Sequence, residues 1–333
     1  MIIIRFNIKN LIFVFGFLLL LSACHSHRAK SSNTSSPHSV KHEVPSFNSD
    51  SAYANVARQV AFGPRVPGSI AHKNCGRWLI AMMKQLSDTL YLQKTTVTTF
   101  QDKNLPCVNI IASFNPKNAF RVLLLAHWDT RPWADHDTVS RDQPIDGADD
   151  GASGVAVCLE LARLLHTTKV SEGVDILLTD VEDYGSDTGV NSENSWGLGT
   201  QYWAKNPHVA NYSANWGILL DMVGGSGSQF RMEGVTKHYA SHVANMIWDA
   251  GNDLGFSYYF PYDDPNQASI IDDHYFIDKL TNIPTADIIA LRPDGSFPPY
   301  HHTHRDNMKI ISKETLMAVG QTLTSMLYTY QSN

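Results

Sequence analysis

The residues of this chain best suited to chemistry are scattered acids and histidines. In order they are His127-Trp-Asp129, Asp149-Asp150-Gly-Ala-Ser-Gly154, Glu182-Asp183, Asp221, Asp272-Asp273-His274 and His301-His302-Thr303. Imidazole nitrogens and carboxylate oxygens are zinc donors, and a catalytic zinc keeps one position open beside three protein ligands. Asp150 lies in Gly147-Ala-Asp-Asp-Gly-Ala-Ser-Gly154, a tight loop that opens a helix and lets backbone approach a metal. Asp149 or Asp150 could instead serve as a plain helix N-cap. Glu182 and Asp183 are adjacent, so their side chains diverge. One can bind metal while the other, in a partly closed site, has a raised pKa suited to proton transfer. His302 stands among neighbouring histidines after a proline-rich loop, where the others can support a ligand from behind.

These residues need elements to hold them. Helical periodicity runs over 50–62 and 70–90, broken by Gly63-Pro-Arg-Val-Pro-Gly68. Thr95 to Phe100 alternates as a strand does. Val108–Phe114, Val122–Ala126, Val174–Thr179, Ile218–Leu220 and Ala286–Ala290 read as buried strands. Helices are expected over 154–165, 237–253 and 311–330. Strands alternating with helices imply an α/β fold: one domain, with a mostly parallel, mixed central sheet flanked by helices. Ligands of such sheets bind beyond the carboxyl ends of the strands. His127, Glu182, Asp183 and Asp221 all fall there.

The 333 residues are 43% hydrophobic and carry a formal charge of −6, which suits one large domain and offers no basic stripe for nucleic acid. Arg5 and Lys9 precede an apolar stretch, Leu11–Leu21, too short to span a bilayer comfortably, which ends in Leu21-Ser22-Ala23-Cys24. This is similar to a bacterial lipobox. It implies a signal peptide over 1–23, lipidation at Cys24 and an exported, membrane-anchored protein facing the periplasm. Acyl chains contribute about 0.8 kcal/mol per buried CH₂, so several give a durable anchor. Residues 24–47 are rich in Ser, His, Asn and Lys and read as a disordered tether, leaving 48–333 as the folded domain. Of the remaining cysteines, Cys158 sits on a buried helix face as an inert thiol, while Cys75 and Cys107 could pair.

The ordered set of motifs resembles the glutaminyl cyclases, within the wider clan of zinc aminopeptidases. The likeness is carried by Arg65-Val-Pro-Gly-Ser69, Val108-Asn-Ile-Ile-Ala-Ser-Phe-Asn-Pro116, His127-Trp-Asp129, Gly147-Ala-Asp-Asp150, Val181-Glu-Asp183, Leu220-Asp-Met222, Asp272-Asp-His274 and Tyr300-His-His-Thr303. The resemblance implies zinc held by Asp150, Asp183 and His302, with Glu182 as general acid and base. Asp272 and Asp221 would form a carboxylate network beside it, with Asp273 the alternative should the register slip by one. Ile270, Ile271, Phe297 and His301 would line the substrate pocket, and His127 and Asp129 would support the centre. The implied reaction closes an N-terminal glutamine of a peptide or protein into pyroglutamate and releases ammonia.

The chain departs from the animal members in having His301 where they carry Trp and Asp183 where they carry Glu. Cys158 matches half of a disulfide common among them, and the partner position is Ala126. The competing reading is an exported two-zinc aminopeptidase, with His127 and Asp221 on the second zinc and Asp150 bridging. One zinc is expected for a cyclase and two for the peptidase.

Overall fold

The computed structural model describes residues 44–190, 192–263 and 269–329. The signal peptide, Cys24 and most of the tether lie outside them. Two helices come first, α1 (Ser49–Val60) and α2 (Ile70–Leu86), then strands β1 (Thr89–Thr98), β2 (Asn104–Phe114) and β3 (Arg121–His127). They are followed by α3 (Ala152–Thr167), β4 (Gly173–Thr179), α4 (Leu198–Lys205) and β5 (Trp216–Asp221). The chain closes with α5 (Gly234–Tyr239), α6 (Ser241–Asp253), α7 (Asp273–Leu280), β6 (Thr285–Ile289) and α8 (Lys313–Thr329).

The six strands form one sheet in the order β1-β2-β4-β3-β5-β6. β1 and β2 run antiparallel to their neighbours, while β4, β3, β5 and β6 pair in parallel. The expected mixed, mostly parallel α/β sheet is therefore the observed one. Every residue of β3, β4, β5 and β6 is buried, as parallel strands covered on both faces must be. Alternate strand residues divide between two cores. Val122, Leu124, Ala126, Ile218 and Leu220 pack toward α1, α2, α3, α6 and α8. Leu123, Leu125, Leu177 and Leu219 pack toward Trp203 of α4 and Ile277 of α7. Among the described residues no helix is long and apolar enough to cross a membrane.

Three expectations are corrected, and the open pairing of Cys75 with Cys107 is resolved. β1 begins at Thr89, inside the stretch read as helix to 90 and before the expected strand start at Thr95. α2 stops at Leu86 because Ser87 turns extended and bonds back to Met83 through both its N–H and its hydroxyl. The helix expected over 237–253 is two helices, broken at Ala240, whose backbone is not helical (φ −133°). Residues 44–47 are docked, not tethered. Phe47 is buried, its N–H bonds Gln321, and its ring fills the space a Cβ on Gly320 would occupy. Cys75, Cys107 and Cys158 are buried free thiols, so Cys75 and Cys107 do not pair. α4 and α7 were not foreseen.

Candidate metal centre

The carboxyl ends of the parallel strands meet the loop before α3. His127 ends β3, Asp221 ends β5, Glu182 and Asp183 follow β4, and His302 comes from the loop after β6. Backbone at this edge is unusual. Val181, Met222 and His302 all take left-handed φ, at 55°, 48° and 53°. For β-branched Val181 this is a sterically disfavoured state, of the kind that persists where surrounding structure dictates it, often at functional sites.

Asp150 owes its place to a tight approach. A Cβ on Gly151 would lie 2.4 Å from the His127 carbonyl oxygen and 2.7 Å from its Nε2, so only glycine lets this loop reach β3. Behind it, Asp306 accepts the N–H groups of Asp149 (2.7 Å) and Asp150 (3.2 Å). Neither aspartate caps α3, whose N-cap is Gly151 with no side-chain bond. Asp149 instead accepts the Gly224 N–H and the Tyr300 hydroxyl, each at 2.7 Å, which ties the His301–His302 loop to the sheet.

Two trios share Asp150. In the first, His302 Nε2 stands 3.5 Å from Asp150 Oδ2 and 3.3 Å from Asp183 Oδ1. In the second, His127 Nε2 stands 3.0 Å from Asp150 Oδ1 and 3.2 Å from Asp221 Oδ1. Ligand atoms about 2.0–2.1 Å from a tetrahedral zinc stand about 3.3–3.4 Å apart. In the first trio both distances from His302 Nε2 have that spacing. Asp183 Oδ2 and His302 Nδ1 of this trio, like His127 Nδ1 of the second, are buried with no hydrogen-bond partner among the described residues. The donor set thus fits a zinc ion. The second trio is drawn in to hydrogen-bonding distance, although its ligand atoms too lie close enough to hold a cation.

Electrostatics separate the trios in the same sense. Burial, followed by the nearby Arg131 guanidinium, holds the His302 imidazole well below its usual range, so its lone pair is free. Burial works against a charge on His127 as well, but Asp129, Asp150 and Asp221 overcome it and push its pKa well up. Burial raises Asp183 to about 7, partly opposed by Arg131. Burial and then the Asp272 charge push Glu182 well above the carboxylate range. Asp129 holds the Glu182–Asp183 turn by accepting both backbone N–H groups, at 3.1 and 3.2 Å.

A cavity of about 420 Å³ opens on this centre. Asp150, Glu182, Asp183, Asp221, Asp272 and His302 line it, together with Ile270, Ile271, Phe297 and His301. The three expected zinc ligands, Glu182, Asp221, Asp272 and the expected pocket residues thus face one space. His127 and Asp129 do not line it, and neither does Asp273, which accepts the Thr179 hydroxyl at 2.5 Å. His304 also turns away, to Asp137. Sequence reasoning missed Trp196, whose ring lies nearly parallel to His302, and Arg131, which is packed between the rings of Trp196 and Trp133 and pairs with Asp183 and Asp135. It also missed Asp306. The one available signal was the tryptophan-flanked arginine in Trp128-Asp-Thr-Arg-Pro-Trp133.

Such a centre on such a sheet defines a metal-dependent enzyme of the aminopeptidase-like α/β class. The chain belongs to peptidase family M28, whose profile matches residues 109–327, and is a zinc-dependent enzyme of that family. It is similar to a Zn-dependent exopeptidase from Parabacteroides distasonis, with 46% identity, TM-score 0.83, and coverage of 86% of this chain and 100% of that one. It is equally similar to the Bacteroides thetaiotaomicron glutaminyl cyclase solved with N-acetylhistamine, with 43% identity, TM-score 0.84, and coverage of 87% and 100%. Aminopeptidase YwaD of Bacillus subtilis is 25% identical over 258 residues, 74% of this chain. The chain spans 48% of that relative's length.

Proposed function

We propose that this protein closes N-terminal glutamine residues of peptides and proteins into pyroglutamate with release of ammonia. The observation that carries the reading is the contrast between the trios. His302 Nε2 stands from Asp150 and Asp183 at the spacing of ligands on a single metal, whereas His127 Nε2 is hydrogen-bonded to Asp221 and drawn to 3.0 Å from Asp150. The likeness to a glutaminyl cyclase over nearly the whole domain supports it.

Asp150, Asp183 and His302 would hold the zinc, which would supply Lewis-acid polarisation of the glutamine side-chain carbonyl. The remaining work belongs to the protein. Ile270, Ile271, Phe297 and Trp196 enclose the side-chain methylenes and hold the chain bent on itself. This places the α-amine against the amide carbon in a near-attack arrangement. Glu182, its basicity raised by burial, takes a proton from the attacking amine. A C–N bond forms to close the five-membered lactam. Glu182 then returns the proton to the departing amide nitrogen as the second C–N bond breaks and ammonia leaves. Asp272 and Asp221 stand beside Glu182 on the cavity wall, and the Asp272 charge adds to burial in keeping its proton affinity high.

The second reading, hydrolytic removal of the first residue, draws on the second trio, where His127, Asp150 and Asp221 also converge. Incubation with a glutamine-initiated peptide and mass spectrometry separates the two. Loss of one ammonia supports cyclisation, and loss of the whole first residue overturns it. The leader pattern over 1–24 supports export and anchoring of this enzyme to a membrane as a periplasm-facing lipoprotein. Labelled fatty acid is expected in the wild type and not in Cys24→Ser; equal labelling of both would refute the anchor.

A further inference from the structure

A group of buried residues that this chemistry leaves idle lies behind Asp272. One carboxylate oxygen of Asp272, one of Asp287 and a ring nitrogen of His274 lie within 4.8 Å of one another. Asp287, on β6, is fully buried, and neither of its oxygens has a hydrogen-bond partner among the described residues. His274 is fully buried too. Its Nε2 is 3.2 Å from Glu233 Oε1 and its Nδ1, otherwise without a partner, is 3.7 Å from Asp287 Oδ2. Glu233 is well satisfied as an anion, since it also accepts the N–H groups of Val235, Thr236 and Ile270.

Charge balance around Asp287 is one-sided. Asp221 faces it from β5, Glu233 from the start of α5, and Asp272, Asp273 and His274 from α7, with Asp278 further along that helix. His274 is the basic group among these, and Glu233 already holds its Nε2. A bare carboxylate at Asp287 would be a dry charge with no donor at hydrogen-bonding distance among the described residues, beside a second carboxylate. Such an arrangement is costly, and two carboxyls sharing a site do not both ionise. A proton on Asp287 removes the charge and creates a donor, and a carboxylate oxygen of Asp272 lies within 4.8 Å as a candidate acceptor. Burial, and then the Asp272 charge, push the Asp287 carboxyl well up in keeping with this.

We infer that Asp287 is a positioning residue: a neutral carboxylic acid that donates a hydrogen bond to Asp272 and fixes that carboxylate on the cavity wall beside Glu182. His274, anchored by Glu233, packs against Asp287 with its Nδ1 3.7 Å from Oδ2. The inference rests on the reading of Asp272 as part of the reacting site.

The test compares Asp287→Asn, which keeps a donor of the same shape and cannot ionise, with Asp287→Leu, which removes the donor. Asp287→Ala serves if the Leu variant does not fold. Turnover of a glutamine-initiated peptide, melting temperature and metal content are measured for each. Asp287→Asn is expected to keep kcat within about threefold, and Asp287→Leu to lower it about tenfold or more, the scale of one lost hydrogen bond to a charged group. KM, melting temperature and zinc content stay unchanged. Equal loss in Asn and Leu variants would show that the ionised form is needed and overturn the inference. So would wild-type kcat in the Leu or Ala variant, or loss of a metal equivalent from Asp287→Asn. Should the wild type remove the first residue instead of cyclising it, the functional reading fails, and the same comparison is made on that cleavage.

Discussion

β3 has two polar ends, and they are built on opposite rules. At its start, Arg121 pairs with Asp175 through two bonds of 2.7 Å, and its remaining donors reach Ser113 and the Asn115 and Asn118 carbonyls. Tyr212 adds its hydroxyl to the same carboxylate at 2.8 Å. At its finish, His127 opens onto a crowd of buried acids whose pKa values are pushed up by burial, and several polar atoms there lack a hydrogen-bond partner among the described residues. A buried charge that is fully paired tells of structure. Buried polar groups left unpaired on one face of a cavity tell of something that binds there.

That contrast orders the tests. The largest effect is expected from Glu182→Gln, which keeps the shape but removes the proton carrier. Turnover should fall by about a hundredfold to ten-thousandfold, with zinc content measured by elemental analysis unchanged. Retained activity would break the assignment of proton transfer to this end of the sheet. His302→Ala should lose both activity and zinc, read in one metal analysis, because it removes one of three ligands. Arg121→Ala sharpens the comparison from the other end. It should cost about 3–5 kcal/mol in denaturant unfolding by stranding Asp175, and leave zinc content untouched. Asp306→Asn should weaken zinc about 10- to 100-fold in a chelator competition, since Asp306 aims the backbone that carries Asp150.

The sequence made the finishing ends of the strands readable because function there clusters. Asp150 sits among glycines, Glu182 and Asp183 adjoin, and each follows an apolar run. Asp306 left no such trace: it acts by bonds to backbone 156 and 157 residues away, a relation that no local pattern encodes. Trp196 and Arg131 were hidden for the same reason. Their role is a stack formed only when the loop after β4 meets the loop after β3. The start of β1 was misread because Thr89-Leu-Tyr-Leu92 is a short apolar run that fits the end of a helix as well as a strand. Asp272 and Asp273 were indistinguishable by type. The start of α7 separates them, since Asp272 is its N-cap and Asp273 its first residue, and they face different ways.

One zinc is expected on Asp150, Asp183 and His302, with His127 hydrogen-bonded to Asp221 and 3.0 Å from Asp150. Native mass spectrometry of zinc-saturated, desalted protein tests it directly, with wild type beside His127→Ala. One zinc per chain in both is the expected result. Two in the wild type falling to one in His127→Ala would contradict it and make the site that of a two-metal peptidase.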